Sequence, residues 1–253
     1  MSDWRRIRLT VSYDGTAYAG WQRQLNAPSV QQSLEKALHS LTGENAPTVG
    51  ASRTDAGVHA LGQTVHFDTQ SRIPAEKFCF ALNTRLPDDI RVTDSIAVPP
   101  DFHARYSARG KTYRYQIHNS PHASALYRLQ RAHVVHPLDV EKMRLAARAV
   151  LGEHDFKAFA AAGSEAKTTI RDIRRADIAQ EGELIELTVS GRSFLYNMVR
   201  ILAGSLIYVG LGKLPPDCLE KALSSGNRLD LGITAPAHGL TLMQVAYEED
   251  NNL

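Results

Sequence analysis

The sequence predicts an α+β fold with two ferredoxin-like, RRM-like lobes. Residues 6–13 alternate between polar and apolar side chains, which is the period of a strand with one buried face. Apolar residues then recur at helical spacing between residues 30 and 41, directly after the capping-box pair Ser29 and Gln32. The order of such signals in the first half is β-α-β-β-α-β, which defines a ferredoxin-like unit and underlies many RNA-binding sheets.

The remaining elements follow the same criteria. Gly43 ends the first helix and Pro74 opens a second, and strands are predicted near residues 48–51, 64–68 and 90–98. Pro99-Pro100 stops helix and sheet alike, so we place an N-terminal lobe at residues 1–100 and a C-terminal lobe at 101–253. In the second lobe we predict strands at 112–118, 170–178, 185–189 and 239–247, and helices at 139–151, 194–209 and after Pro216.

The charge is unevenly distributed along the chain. The 253 residues carry 29 Lys and Arg against 27 Asp and Glu, a net charge of only +2, yet residues 102–138 contain no carboxylate. This stretch has six Lys or Arg residues and interleaved tyrosines, which suits phosphate attraction and base stacking. A solvated loop with chance charge clustering is the simpler alternative. The candidates for an RNA-binding groove are Arg105, Arg109, Lys111 and Arg114.

Composition also limits the class of protein. Two cysteines cannot form a disulfide framework, no apolar segment follows the charged start, and the most apolar run, residues 201–212, is too short to span a bilayer. We therefore expect a cytoplasmic protein without a membrane partner.

The segment with the strongest chemical signal is ASRTDAGVHALGQ, residues 51–63. It places Asp55 in a tight, glycine-containing loop between two strands, with Arg53 beside it. Loops on a rigid sheet commonly carry catalytic groups. Composition alone leaves a second interpretation open, in which Asp55 closes an Asx-turn and Arg53 is a surface ion-pair partner.

Five segments together give the chain a family resemblance. They are YDGTAYAGWQRQ (13–24), SRTDAGVHALGQ (52–63), DFHARYSARGKTYRYQI (101–117), SFLYNMVR (193–200) and HGLTL (238–242). In this order and spacing the chain resembles the tRNA pseudouridine synthase A (TruA) family over nearly its whole length. Ser52 stands where some relatives have glycine before RTD, which leaves the reacting groups in place.

The resemblance implies a role for each matching residue. Asp55 matches the essential nucleophilic aspartate, and Arg200 the arginine paired with it. Tyr113 matches the tyrosine that stacks on the target base, Arg53 an arginine that helps hold the nucleotide flipped out, and Leu240 an apolar residue of the base pocket. It also implies the pseudouridine synthase fold, in which the mainly antiparallel sheets of the two lobes join around a central basic cleft.

The implied activity is isomerisation of uridine to pseudouridine in the anticodon stem-loop of tRNA, at family positions 38–40. The reaction needs no redox cofactor or metal, so we expect no cofactor, and the resemblance implies a homodimer that binds the anticodon arm of tRNA. Attack on the sugar, attack on the base and passage through a glycal stay open, as does the identity of the base that removes the C5 proton.

Three other classes of function fit the sequence less well. A non-catalytic RNA-binding module fits the predicted lobes but gives the Asp55 loop no role. A carboxylate hydrolase would need a second carboxylate across the scissile bond. A metal enzyme is disfavoured because the ten histidines form no HExxH pattern and the cysteines no CxxC pair.

Overall fold

The computed structural model describes residues 4–161, 163 and 167–248. The strands are β1 (Arg5–Tyr13), β2 (Val49–Gly50), β3 (His59–Thr69), β4 (Ile90–Val98), β5 (Gly110–Asn119), β6 (Ala132–Val134), β7 (Gly152–Asp155), β8 (Ile170–Glu181), β9 (Leu184–Gly191) and β10 (Leu240–Ala246). The α-helices are α1 (Val30–Thr42), α2 (Phe78–Asn83), α3 (Val140–Ala147), α4 (Met198–Gly210) and α5 (Cys218–Ser225). The predicted mixed α+β class with mainly antiparallel strands is confirmed.

The chain divides into two compact units. Unit 1 comprises residues 1–109 and 242–253, and unit 2 comprises residues 110–241. The sequence-based boundary lay at residue 100, and the last strand was assigned to the C-terminal lobe. In the structure most of β10 belongs to unit 1.

In unit 1 the strand order is β4-β1-β3-β10, with the short β2 beside β3. Strand β1 pairs antiparallel with both β3 and β4, and its alternate residues Ile7, Leu9 and Val11 are fully buried. Helices α1 and α2 cover this apolar face, as the ring contact between Phe67 of β3 and Phe78 of α2 illustrates (centroids 5.4 Å apart). The polar residues of β1 therefore lie on the opposite face of the sheet.

Helix α1 begins and ends where the sequence predicts. The Ser29 hydroxyl accepts the Gln32 N–H at 3.2 Å, so it caps the first turn. Gly43 adopts a left-handed conformation (φ 75°) and its N–H donates to His39 O at 2.8 Å.

In unit 2 the antiparallel strand order is β5-β9-β8-β7, and β6 pairs parallel with β5. The strands β6 and β7 were not predicted, because each has four residues or fewer and no clear alternation. Helix α4 begins at Met198, four residues after the predicted start, because Asn197 has a positive φ of 60° that cannot lie within a helix. Within the described residues, no helix is both long and apolar enough to cross a bilayer.

Candidate active site

The loop that carries Asp55 is clamped to its own sheet by Gln63. This side chain is fully buried on β3; its Oε1 accepts the Ser52 N–H at 3.1 Å and its Nε2 donates to Ser52 O at 2.6 Å. One residue earlier, the Ala51 N–H donates to Thr64 O at 2.8 Å. Both backbone groups of Ser52 are thus satisfied in a dry environment, which fixes the loop where it leaves β2.

A second clamp comes from the last residue of β1 and the segment that follows it. The buried hydroxyls of Tyr13 and Thr54 lie 2.7 Å apart, and the Trp21 N–H donates to Thr54 O at 3.0 Å. Gly20 has a φ of 101°, and a Cβ there would lie 2.6 Å from Thr54 O. The close approach of the two chains therefore requires glycine at position 20.

Between these clamps, side chains alternate in their exposure. Thr54 is buried against Tyr13, whereas Arg53 is exposed and Asp55 is half-buried. A tight turn follows, in which the Val58 N–H donates to Asp55 O at 3.1 Å and Gly57 has a φ of 77°. The backbone thus presents the Asp55 carboxylate from a rigid turn.

In unit 2, Arg200 occupies the first turn of α4 and is only partly exposed. Its Nε donates to Ala235 O at 2.8 Å and one terminal nitrogen donates to the Asn197 side-chain oxygen at 2.7 Å. The segment that contains Ala235 runs so close to α4 that a Cβ on Gly204 would lie 1.8 Å from Ile233 O. Arg200 is therefore held by one backbone carbonyl, distant in sequence, and by one side chain of its own motif.

Tyr113 and Leu240 are both buried within unit 2, at 7% and 6% exposure. The Tyr113 ring packs edge-on against Phe194, with centroids 5.1 Å apart. Two residues along β5, the Tyr115 hydroxyl donates to Pro236 O at 2.9 Å, and burial raises the pKa of Tyr115 above its ordinary range. This hydrogen bond ties β5 to the segment that leads into Leu240.

The predicted RNA-binding residues are divided between the units. Arg105 and Arg109 belong to unit 1, Lys111 and Arg114 to unit 2. Carboxylates distant in sequence lie beside two of them: Arg109 forms an ion pair with Glu248, and Arg114 Nε lies 3.4 Å from Glu186 Oε1. Residues 102–138 contain no carboxylate in sequence, but in the folded chain carboxylates from other segments lie beside them.

Sequence reasoning assigned no role to Gln63, Gly20 or Asn197. Each lies inside one of the five segments that carry the family resemblance. Residue type alone, however, does not distinguish a residue that anchors a loop from one on the surface. The available signal for Gly20 and Asn197 was residue type, since glycine and asparagine tolerate positive φ. Gln63 offered no comparable signal.

The geometry places a half-buried carboxylate on a rigid loop of an α+β protein, which suits covalent or acid–base chemistry. The family model described as tRNA pseudouridine synthase matches residues 9–107 and 146–248. The chain belongs to this tRNA pseudouridine synthase family, a class of isomerases.

Individual relatives agree with this result. The chain is 52% identical to a protein named tRNA pseudouridine synthase A from Ruminiclostridium cellulolyticum, over 96% of this chain and 100% of that one. It is 50% identical to a protein of the same name from Acetivibrio thermocellus, with the same coverage of both chains. The relative of that name from Bacillus licheniformis is 44% identical over 96% of this chain and 99% of its own.

Proposed function

We propose that this protein converts uridine to pseudouridine in the anticodon stem-loop of tRNA, at family positions 38–40, with Asp55 as the nucleophile. The observation that carries the proposal is the match to tRNA pseudouridine synthases, which spans the Asp55 loop. The double clamp on that loop supports the role of Asp55, because a nucleophile must be held in one direction.

The proposed reaction is an isomerisation. The N1–C1′ glycosidic bond breaks, the uracil rotates and C1′ bonds to C5; C5 loses a proton and N1 gains one, so the composition of the RNA is unchanged. Asp55 must be ionised to act as a nucleophile. We propose that Arg200 favours the ionised form as the ion-pair partner of Asp55. The hydrogen bonds from Arg200 to Ala235 O and Asn197 support this role, since they leave a fixed guanidinium rather than a mobile one.

The target base must leave its stack before C1′ can be reached. We propose that Tyr113 stacks on the extruded uracil, that Leu240 lines its pocket, and that Arg53 helps hold the nucleotide out. The edge-on contact with Phe194 supports the role of Tyr113 by holding its ring in one orientation, and the exposed position of Arg53 supports a contact with RNA.

The direct test is Asp55→Asn, with the exposed Asp94→Asn as the matched control. After incubation with unmodified tRNA, pseudouridine is mapped chemically and tRNA binding is measured in parallel. We expect Asp55→Asn to lower turnover by about a thousandfold or more while tRNA binding is retained, and Asp94→Asn to behave as wild type. Pseudouridine formation by Asp55→Asn at the wild-type rate would refute the nucleophile assignment.

Binding to tRNA is proposed to use Arg105, Arg109, Lys111 and Arg114. With about four to six phosphate contacts, log Kd should change with log salt concentration with a slope of roughly 3 to 5. A slope near zero would refute an electrostatic groove. A non-catalytic RNA-binding module is the second candidate, and it predicts this salt dependence without any pseudouridine.

We further propose that the protein acts in the cytoplasm as a homodimer. The two cysteines are both free and buried, which fits a reducing compartment. Light scattering at working concentration tests the dimer, and a monomer mass would refute it.

A further inference from the structure

Residues 103–107 form a closed turn in unit 1. The Ser107 N–H donates to His103 O at 2.9 Å, and the Ser107 hydroxyl accepts the His103 N–H at 3.0 Å. The His103 Nδ1 accepts the N–H groups of Arg105 and Tyr106, each at 3.2 Å. The backbone of Tyr106 is therefore fixed, although its side chain extends toward solvent.

Tyr106 is 76% exposed, and its ring is supported by the His103 imidazole. Its centroid lies 4.3 Å from that of the His103 imidazole, with 32° between the planes, and His103 in turn contacts the buried His66 at 5.0 Å. Rigid backing of this kind leaves one aromatic face available at little cost in side-chain entropy. Burial and the positive charge of Arg6 lower the pKa of both histidines, to about 4 for His66, so the stack is uncharged at neutral pH.

The stack lies on the face of the unit 1 sheet that the helices do not cover. His66 and Phe67 are neighbours on β3, so their side chains point to opposite faces. Phe67 packs against α2, whereas His66 faces His103. In RRM-type sheets, aromatic side chains on the face opposite the helices stack on unpaired bases.

One positive charge lies beside the ring, and two more lie on the same face of the sheet, one of them paired with Asp68. The Arg105 guanidinium lies 5.9 Å from the Tyr106 centroid. Arg6 and Arg8 point to the same side of the sheet as His66, since both alternate with the buried residues of β1. An aromatic face with an arginine beside it is complementary to a base attached to a phosphate backbone.

We propose that Tyr106, backed by His103, is a stacking platform for an unpaired nucleobase of the RNA substrate. That the nucleobase belongs to RNA rests on the proposed function. The platform contributes to RNA affinity through an aromatic face that carries no charge.

The test compares Tyr106→Leu with Tyr106→Phe and with Phe80→Leu. Phe80 is a matched control in unit 1, because it is 68% exposed and has Lys77 Nζ 5.6 Å from its ring, but it lies on helix α2. Binding of an anticodon stem-loop RNA is measured by fluorescence anisotropy at several salt concentrations. The same RNA with 2-aminopurine at successive loop positions reports stacking by fluorescence quenching.

We expect Tyr106→Leu to weaken binding about fivefold or more, with an unchanged salt slope because the ring carries no charge. It should also relieve the quenching at one loop position. Tyr106→Phe should stay within about twofold of wild type, since phenylalanine retains the stacking face, and Phe80→Leu should have no effect.

Two outcomes would overturn the platform. One is equal RNA affinity for Tyr106→Leu and Phe80→Leu. The other is unchanged RNA binding with altered self-association of Tyr106→Leu, which would assign the ring to a contact with a second copy of the chain. Pseudouridine formation by the wild type is assayed separately. A wild type that binds the RNA without modifying it refutes the proposed activity while the affinity comparison still tests the platform.

Discussion

The Gln63 clamp provides the most direct test of how the Asp55 loop is held. Gln63→Leu keeps the volume of the side chain but removes both partners of the Ser52 backbone. A buried polar group that loses its partner costs about 1–3 kcal/mol. Two such groups at one residue give an expected loss of roughly 2–6 kcal/mol in the free energy of unfolding.

Gln63→Glu separates the two hydrogen bonds by pH. A protonated glutamic acid can still accept from the Ser52 N–H and donate to Ser52 O, whereas the carboxylate can only accept. Burial disfavours the carboxylate, and only the protonated acid can donate to Ser52 O. Both effects raise the pKa of Glu at position 63 in the folded state above its unfolded value. The variant should therefore be closest to wild type below that unfolded pKa, about 4.3, and lose stability as the pH rises through the folded pKa.

Urea unfolding of wild type and both variants, at matched pH values between 4 and 8, measures these differences. Turnover on tRNA is measured in parallel, and we expect it to fall in both variants at neutral pH because the loop loses its anchor. A free energy of unfolding for Gln63→Leu within about 0.5 kcal/mol of wild type, the range of ordinary surface substitutions, would contradict the clamp. A loss of stability in Gln63→Glu that does not depend on pH would contradict the two hydrogen bonds to Ser52.

Further predictions concern the second clamp and the response to acid. Gly20→Ala should lower turnover, and it should lower the free energy of unfolding more than the control Gly43→Ala does. Both glycines have a positive φ, but only a Cβ at position 20 would collide with backbone, at Thr54 O. Equal free energies of unfolding for the two variants would contradict this. The lowered pKa of His66, about 4, means that the unfolded chain takes up a proton before the folded chain does. Stability should therefore fall as the pH drops from about 6.5 to 4, by about 1–2 kcal/mol after allowance for solvent screening. His66→Gln should flatten this part of the stability profile, and an unchanged profile would refute it.

Elements with a strong local signal were predictable from sequence. Strand β1 and helix α1 carry their own information, in the alternation of residues 6–13 and in the Ser29 and Gly43 caps. The start of α4 was not predictable from sequence. The apolar run extends back to Phe194, but the positive φ of Asn197 prevents the helix from beginning before Met198. A local pattern cannot register a conformation that depends on a neighbouring segment packing onto the helix.

Some features of the candidate site were likewise predicted from sequence, and others were not. Asp55 and Arg53 of the RTD motif were predicted as site residues through the family resemblance, because residue type alone also fits an Asx-turn and a surface ion pair. The pairing of Arg109 with Glu248 could not be found, because the partners are 139 residues apart in sequence and meet only through the placement of β10 in unit 1. Charge counted along a chain thus measures composition, whereas attraction for RNA depends on charge in space.

The two clamps also bear on why the recognised motifs are longer than the chemistry requires. Only Arg53 and Asp55 of the loop are assigned reacting or RNA-contacting roles, yet Thr54 between them is buried and bonded to Tyr13. Because the exposed and half-buried positions alternate with this anchored one, any rotation of the loop that moved Asp55 would also break the Thr54 contacts. Thr54→Val, which keeps the shape and removes the hydroxyl, should therefore reduce turnover more than it reduces tRNA binding. Equal reductions in both would mean that Thr54 supports the fold of the loop without directing Asp55.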